Sequence, residues 1–343
     1  MELRPSDEQQ LLIDSYGSLY AKESSPERVR AAEPLGFDAA LWDQLVEQGS
    51  MSMAVDEAHG GWGASVLDLA LVAELHGQAL APAPLIETQV ACRLLARVGG
   101  ATADALLADA LDGRRLVTTA LRRPRQGVAQ LVPAGAVATD VIVRDGDRLV
   151  VVPAGDDRVV PENVGSLPLA DVPLSKTTDP VAIAEGPAVD TALDVALDDW
   201  LVLTAAALSG MAGRSVEIGV AYAGERVAFD QKIGSFQAVG HRLADCATRA
   251  EGAQLLAREA AWAFEEEPDR GPELAAMAFA FAAAAARDCS DWSLHFHGGY
   301  GFMLEYDIQL YYRRSRAWAN VVMSPAAACR RVADKRYGPA GGR

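Results

Sequence analysis

Two segments of this 343-residue chain combine residue types that could hold a ligand. The first contains Arg226, followed at short spacing by Phe229, Ile233 and Phe236. A guanidinium stays charged and can direct two N–H groups at two anionic oxygens. An isolated arginine of this kind most often forms a surface ion pair, so the pattern needs a second element before it indicates a binding site.

The second segment, residues 295–302, reads His-Phe-His-Gly-Gly-Tyr-Gly-Phe. Gly298 and Gly299 have no Cβ atom, so the backbone there can approach a ligand closely. A single Gly-Gly pair is usually a turn, and histidines beside it are usually structural. The two segments together, each at the end of a long apolar and alanine-rich stretch, favour a binding role over two unrelated turns.

The composition limits the class of partner. The formal net charge is −16 and half of the residues are hydrophobic. The charge argues against a nucleic-acid duplex, because phosphate contacts need basic surfaces. The four cysteines (Cys92, Cys246, Cys289 and Cys329) are widely spaced, which predicts reduced thiols and neither a disulfide framework nor a metal site.

No secretion or membrane signal is evident in the sequence. The start, from Met1 to Glu8, is polar and acidic, unlike a signal peptide. The longest apolar run lies near Leu201–Met211, between Asp198-Asp199 and Arg214, and predicts a buried helix. We therefore expect a soluble cytoplasmic protein with no membrane contact.

Three sections of different texture follow one another. Residues 1–116 show helical periodicity, with Ser6 as a predicted N-cap. Residues 117–190 show short β-like runs, including a hairpin with Asp145-Gly146-Asp147 at its turn. Residues 191–343 return to long helices that begin near Ala192, Gln237, Pro272 and Ile308, and Pro325 should kink or restart the last one.

These segments and this order resemble the acyl-CoA dehydrogenase family. The resemblance rests on residues 225–229 and 232–237, on the Gly-Gly segment, on Glu305-Tyr306 and on residues 313–316. It implies a mainly α fold with a small β domain: an N-terminal helical domain (1–116), a reduced middle β domain (117–190) and a C-terminal four-helix bundle (191–343).

The resemblance also implies FAD as the cofactor and assigns residues to it. In this family the C-terminal helices of one subunit cover the adenosine diphosphate end of a flavin seated on its neighbour. Arg226 matches the arginine that pairs with the pyrophosphate, and Gly298-Gly299 match the pair that lets the backbone approach the nucleotide. Phe229, Ile233 and Phe236 match apolar positions near the adenine, and His295 stands where the family usually has glutamine.

The family's catalytic glutamate has no counterpart in this sequence. Its usual position holds Val322, and the alternative position used by some members holds Trp200. Neither side chain can accept a proton. Asp199, beside Trp200, is an alternative base, although a helix N-terminal charge is the expected role of Asp198 and Asp199.

The loop that holds the flavin ring in this family also departs from the pattern. Its Thr-Glu-Pro-like motif is absent, and residues 117–125 read Val-Thr-Thr-Ala-Leu-Arg-Arg-Pro-Arg. This departure implies that the chain does not seat a flavin ring by itself.

The chain resembles the shortened, glutamate-lacking subunit of actinobacterial α2β2 acyl-CoA dehydrogenases of steroid side-chain degradation. That resemblance predicts a full-length dehydrogenase subunit as partner, an acyl-CoA substrate and electron-transfer flavoprotein as acceptor. Three alternatives stay open: an independent homo-oligomeric dehydrogenase with a displaced carboxylate base, a non-catalytic binding or scaffold protein, and a related flavin oxidase, against which Val322 argues.

Overall fold

The computed structural model describes residues 4–155, 157–174 and 180–338, so the start at Met1 lies outside the described residues. Contacts divide the chain into two compact units. The bundle unit comprises the described parts of residues 1–27, 70–81 and 201–343, and the sheet unit those of residues 28–69 and 82–200.

Helices account for most of the described chain. They are α1 (Asp7–Glu23), α2 (Pro26–Ala31), α3 (Ala39–Glu47), α4 (Val66–Gln78), α5 (Leu85–Val98), α6 (Ala101–Leu111), α7 (Ala188–Glu225), α8 (Gln237–Glu266), α9 (Gly271–His297), α10 (Ile308–Trp318) and α11 (Pro325–Tyr337). The strands are β1 (Val117–Thr119), β2 (Val128–Val132), β3 (Asp140–Asp145), β4 (Arg148–Pro153), β5 (Ala170–Pro173), β6 (Val181–Glu185), β7 (Val227–Ala228) and β8 (Gln231–Lys232). Short 3-10 helices cover Ser52–Ala54, Glu57–His59, Ile233–Ser235 and Gly298–Phe302.

Two predicted helix boundaries are confirmed by their caps. Ser6 accepts from the backbone N–H of Gln9, whose side chain accepts from the backbone N–H of Ser6, which completes a capping box for α1. Ser324 accepts from Ala327 N–H, and Pro325 occupies the first turn of α11. A proline at that position needs no hydrogen-bond donor, so it restarts the chain as a new helix.

The sheet unit contains a four-stranded sheet in the order β1-β3-β4-β6 and a separate β2-β5 pair. β1 runs parallel to β3, and β3-β4 is the predicted hairpin, with Asp145 opposite Arg148. The turn residues are therefore Gly146 and Asp147, and of these only Gly146 has a positive φ, at 65°. The predicted hairpin is confirmed, with Asp145 in the strand and the positive φ at Gly146 alone.

The bundle unit is built around α9, which packs against α8, α10 and α11. Alanine is the commonest residue on its buried face, and Phe279 is fully buried there. Helices α4 and α7 approach each other closely at two glycines. A Cβ atom on Gly77 would lie 1.8 Å from the carbonyl oxygen of Ala207, and a Cβ atom on Gly210 would lie 2.0 Å from the carbonyl oxygen of Glu74. Small residues on α4 and α7 thus permit this close helix packing.

Within the described chain, α7 is the one helix long and apolar enough to cross a membrane, and 89% of its most apolar window is buried inside the protein. It is therefore a core helix, and the predicted buried helix around Leu201–Met211 is confirmed. It begins at Ala188, earlier than the expected start near Ala192.

The predicted order of N-terminal helices, a small β section and C-terminal helices is confirmed. The domain boundaries at residues 116 and 190 remain predictions. All four cysteines are free; Cys92, Cys246 and Cys289 are buried and Cys329 is exposed.

Candidate functional site

The arginine segment forms a two-strand hairpin directly after α7. Arg226 N–H donates to Tyr222 C=O at 2.9 Å, and Ile233 N–H donates to Arg226 C=O at 2.9 Å. The turn residues Phe229 and Asp230 have positive φ values of 53° and 60°, which non-glycine residues rarely adopt. The Phe229 side chain is 89% exposed, and its ring meets that of Phe236 edge-on at 6.3 Å. The fold therefore presents an apolar side chain to solvent at a strained turn.

The Gly-Gly segment forms the end of α9. Gly298 caps the helix with φ 59° and ψ −138°, a conformation that favours glycine, and a 3-10 helix follows from Gly298 to Phe302. A Cβ atom added to Gly298 or Gly299 would meet nothing within 4 Å. The backbone at this pair is consequently open to an approaching group.

The structure joins the two segments through one aromatic contact that the sequence analysis did not identify. Tyr222, one turn before Arg226, stacks on His297, the residue before Gly298, with ring centroids 3.9 Å apart. Tyr306 meets both rings edge-on, at 6.4 Å and 5.8 Å. The residues expected to contact FAD (Arg226, Phe229, Ile233, Phe236, His295, Gly298 and Gly299) all belong to the bundle unit.

Arg226 is exposed and available for a ligand. Among the described residues, no carboxylate or carbonyl group accepts a hydrogen bond from its guanidinium, whereas most other arginines of the chain have such partners. His295 is also exposed and packs edge-on against Trp292 at 5.5 Å. An unpaired cation and an open glycine backbone, joined through the Tyr222–His297 contact, can together receive a diphosphate.

His297 is a buried imidazole with a fixed tautomer. Its Nδ1 lies 2.7 Å from Ser293 C=O, and because a carbonyl can only accept, Nδ1 carries the proton. Burial lowers the pKa of His297, and the Ser293 hydrogen bond offsets this in part. The ring is therefore neutral near pH 7.

The residues at the two positions where the resemblance places the base offer no proton acceptor. Val322 lies in the bend between α10 and α11 and is 9% exposed. Trp200 lies in α7 and is 3% exposed. A valine has no acceptor, and an indole N–H only donates.

The expected role of the Asp198-Asp199 pair as a helix N-terminal charge is wrong. α7 begins at Ala188, so both aspartates lie almost three turns inside it, beyond the reach of the helix dipole's N-terminal effect. Asp199 Oδ2 instead contacts Arg97 at 2.6 Å and Arg93 Nε at 3.1 Å, both on α5, and its side chain is 1% exposed. Asp199 thus neutralises two arginines within the sheet unit.

Residues 120–123, in the loop after β1, line a cavity of about 150 Å³ together with Arg144 and the start of α7. Asp190 lies across this cavity and pairs with Arg144 and with Arg123, the latter at 3.0 Å. The hydrogen bond from Arg144 lowers the pKa of Asp190. Burial and the nearby Arg125 lower the pKa of Arg122. The cavity is therefore small, partly open to solvent and lined by charged side chains.

A further titratable residue, Glu87 on α5, gave no signal in the sequence. It is partly buried and forms no ion pair with another residue of the described chain. Burial raises its pKa to about 7. Arg93 and Arg97 also gave no signal, because a helical sequence does not reveal which distant carboxylate its arginines contact.

Comparisons with known proteins agree with this architecture. Residues 196–319 match the acyl-CoA dehydrogenase C-terminal domain, and residues 6–107 match the N-terminal domain. The chain is 32% identical over 330 residues to the acyl-CoA dehydrogenase IpdE2 of Mycolicibacterium smegmatis, covering 95% of this chain and 98% of that protein. IpdE2 of Mycobacterium tuberculosis is 31% identical over 96% of this chain and 98% of its own length. The chain belongs to the acyl-CoA dehydrogenase family.

Solved structures point to the steroid type within that family. A chain of the ChsE4-ChsE5 complex from Mycobacterium tuberculosis superposes with a TM-score of 0.85 and 26% identity, over 99% of this chain and all of that one. A variant of the Tcur3481-Tcur3483 steroid acyl-CoA dehydrogenase gives a TM-score of 0.85 and 27% identity, over 96% of this chain and 98% of that one. The recognition made from the two motifs is confirmed.

Family membership defines the class of chemistry. Acyl-CoA dehydrogenases are FAD-dependent oxidoreductases acting on CH–CH bonds, so the predicted cofactor and enzyme class are confirmed. The exposed Arg226 and the open Gly298-Gly299 backbone fit the diphosphate end of FAD. The cavity beside Arg123 and Arg144, at about 150 Å³, is small for the flavin ring.

Proposed function

We propose that this chain is the base-lacking subunit of a heteromeric acyl-CoA dehydrogenase and that it completes an FAD site on a catalytic partner. One combination of observations supports the proposal. The expected base positions hold Val322 and Trp200, whereas Arg226 is unpaired within the described chain and the Gly298-Gly299 backbone is open. The nucleotide-contacting half of a site is present without the proton-accepting half.

The reaction explains why this division requires a partner. Removal of the α-proton of an acyl thioester needs a carboxylate within hydrogen-bond reach, in surroundings that raise its pKa. FAD, when bound, accepts the hydride that leaves the β-carbon. Since Val322 cannot take the proton, the partner subunit supplies the base, and this chain supplies Arg226 to the diphosphate with Phe229, Ile233, Phe236 and His295 around the adenosine end.

The loop after β1 supports the same division. Pockets for drug-sized ligands are usually roughly 300–1,000 Å³. The cavity here is about 150 Å³, and the Asp190 carboxylate already engages Arg123 and Arg144 within it. A flavin ring would have to displace this ion-pair cluster, so we place the ring on the partner.

Exposed apolar side chains in the bundle unit offer a surface for that partner. Tyr300, Phe302, Met303 and Leu304 follow the glycine pair and are 46%, 59%, 44% and 71% exposed. Contiguous exposed apolar residues of this kind typically mark an interface. We propose that the partner covers them when it brings its flavin to Arg226.

The relatives suggest the substrate and the assembly. The ChsE4-ChsE5 structure is a complex of two different chains, and the Tcur3481-Tcur3483 protein is described as a steroid acyl-CoA dehydrogenase. By analogy we propose an α2β2 heterotetramer with a full-length dehydrogenase subunit. Its substrate would be an acyl-CoA thioester such as a steroid side-chain CoA, its acceptor electron-transfer flavoprotein and its location the cytoplasm.

The runner-up is an independent homo-oligomeric dehydrogenase that uses Asp199 as a displaced base. The two ion pairs that hold the Asp199 carboxylate disfavour it, because both arginines would lose their partner whenever the aspartate accepted a proton. A scaffold protein that makes no flavin contact would have no use for an unpaired Arg226.

The decisive experiment compares the chain alone with the chain co-expressed with a candidate full-length acyl-CoA dehydrogenase subunit from the same organism. We expect the isolated chain to be colourless and the complex to hold two flavins per four subunits, counted from visible absorbance and protein concentration. In the complex, Arg226→Ala should lower FAD content at least tenfold, because it removes a charge-assisted contact to the diphosphate.

Arg270→Ala provides the matched control. Arg270 is an exposed arginine of the same unit that pairs with Glu267 and Glu259, so its loss should leave FAD content unchanged. Stoichiometric flavin and dye reduction by the isolated chain would establish the homo-oligomeric alternative instead. Unchanged flavin in the Arg226→Ala complex would favour a scaffold role.

A further inference from the structure

A narrow contact between α7 and α9 underlies both halves of the nucleotide-contacting surface. Ser215, Gly219 and Tyr222 are spaced four and three residues apart, so they share one face of α7. Opposite them on α9 lie Ser293 and His297, also four residues apart. We call this contact the α7–α9 seam.

The seam is close-packed along its whole length. Ser293 Oγ donates to Ser215 C=O at 2.6 Å. A Cβ atom on Gly219 would lie 2.4 Å from Ser293 Oγ, so only glycine fits there without a shift. At the outer end, the Tyr222 and His297 rings stack at 3.9 Å with an angle of 21° between their planes.

Each ring of this stack connects directly to a site segment. Tyr222 C=O accepts from Arg226 N–H, which fixes the start of the arginine hairpin. His297 is the last residue of α9 and is followed at once by Gly298. Its Nδ1–H bond to Ser293 C=O locks the ring orientation, and the edge-on ring of Tyr306 packs against the stack.

We propose that Tyr222 and His297 are positioning residues. They fix the Arg226 hairpin relative to the Gly298-Gly299 turn without contacting the cofactor themselves. The geometric part of this inference concerns the chain alone, and its consequence for FAD rests on the proposed function. The arrangement of the Arg226 hairpin and the Gly298-Gly299 turn thus depends on the Tyr222–His297 stack, which lies beneath them.

Hydrogen exchange of the purified full-length chain tests the geometric part. Tyr222→Ala and His297→Ala should each speed amide exchange about tenfold in both site segments, residues 226–236 and 298–302. In these variants local opening no longer has to break the ring stack, so it costs less free energy. Tyr222→Phe and His297→Phe keep an aromatic ring and should restore slow exchange in most of these amides.

Tyr20→Ala is the matched control. Tyr20 and His76 form another tyrosine–histidine contact in the bundle unit, with ring centroids 5.7 Å apart, and its loss should leave exchange in the two site segments unchanged. If an alanine variant folds poorly, Tyr222→Leu and His297→Asn remove the stack with a smaller cavity. Unchanged exchange in both segments of these variants would overturn the proposal.

FAD titration of the apo-complex separates this inference from the proposed function. The alanine variants of the seam should bind FAD about tenfold more weakly and the phenylalanine variants nearly normally. Two results together would refute the proposed function: faster exchange in the seam variants and unchanged flavin affinity in Arg226→Ala. The positioning role of the seam would remain intact. Normal exchange combined with normal FAD affinity in the seam variants would refute the positioning role.

Discussion

Asp199 and Asp190 show how burial determines how much an ion-pair cluster contributes to the stability of the fold. Each aspartate contacts two arginines, but the Asp199 side chain is 1% exposed and that of Asp190 is 60% exposed. Breaking a buried ion pair leaves an uncompensated charge away from water, whereas an exposed pair is replaced by hydration.

We therefore expect Asp199→Asn to lower the free energy of unfolding by about 3 kcal/mol, the usual order for breaking a buried ion pair. Urea denaturation of the full chain measures the change. Asp190→Asn is the control and should have little effect. If Asp199→Asn kept full stability but abolished turnover in a reconstituted enzyme, Asp199 would be the base and the structural role assigned to it would be incorrect.

Glu87 should make the stability of the chain depend on pH. Burial raises its pKa from 4.5 to about 7. Below pH 4.5 the carboxyl group is protonated in both states; between pH 4.5 and 7 only the unfolded state loses the proton, so stability falls as pH rises. A shift of this order corresponds to at most roughly 3 kcal/mol.

The prediction is that Glu87→Gln leaves stability unchanged near pH 4 and raises it at pH 8, measured as the free energy of unfolding at both values. Glu57→Gln, at an exposed position, is the control and should not alter the difference between the two pH values. A stabilisation of equal size at both pH values would show that the amide improves packing and that titration is not involved.

At the scale of elements, α7 depends on glycine at one position and not at another nearby. A Cβ atom on Gly210 would lie 2.0 Å from Glu74 C=O on α4, whereas one on Gly213 would meet nothing within 4 Å. The first contact involves backbone, which cannot move aside cheaply.

We expect Gly210→Ala to cost about 2–3 kcal/mol or more through forced separation of α4 and α7. Gly213→Ala should instead stabilise the chain by roughly 0.5–1 kcal/mol, because alanine is the better helix former. Thermal unfolding of both variants checks the prediction. Equal effects would mean that the α4–α7 contact adjusts freely.

The predicted elements succeeded where local chemistry sets a boundary. Ser6 and Ser324 cap helices, Pro325 begins one, and the β3-β4 hairpin follows from two apolar runs around Gly146. The error at the start of α7 had a larger consequence. Placing that start near Ala192 made Asp198 and Asp199 appear to lie near a helix terminus, whereas the observed start at Ala188 places them in the helix interior.

At the scale of the whole molecule, the chain has the fold of a flavin-dependent dehydrogenase, and we propose that it carries only part of the chemical groups of such an enzyme. Arg226 and the glycine pair are exposed, and the two positions at which the family resemblance places the base hold the buried Val322 and Trp200. The proposed division of labour follows from this asymmetry, since a surface that grips a diphosphate is useful only where a flavin is presented to it.

The sequence by itself determined the family and the order of helical and β sections, and it supplied the prediction that residues 322 and 200 leave the chain without a base. These follow from residue identity and short-range spacing, which the chain carries without folding. Only the tertiary structure decided that Arg93 and Arg97 neutralise Asp199, that Glu87 is partly buried with no ion-pair partner among the described residues, and that Tyr222 stacks on His297. Those contacts join residues far apart in the chain, and helix packing, which no local pattern encodes, selects which of them meet.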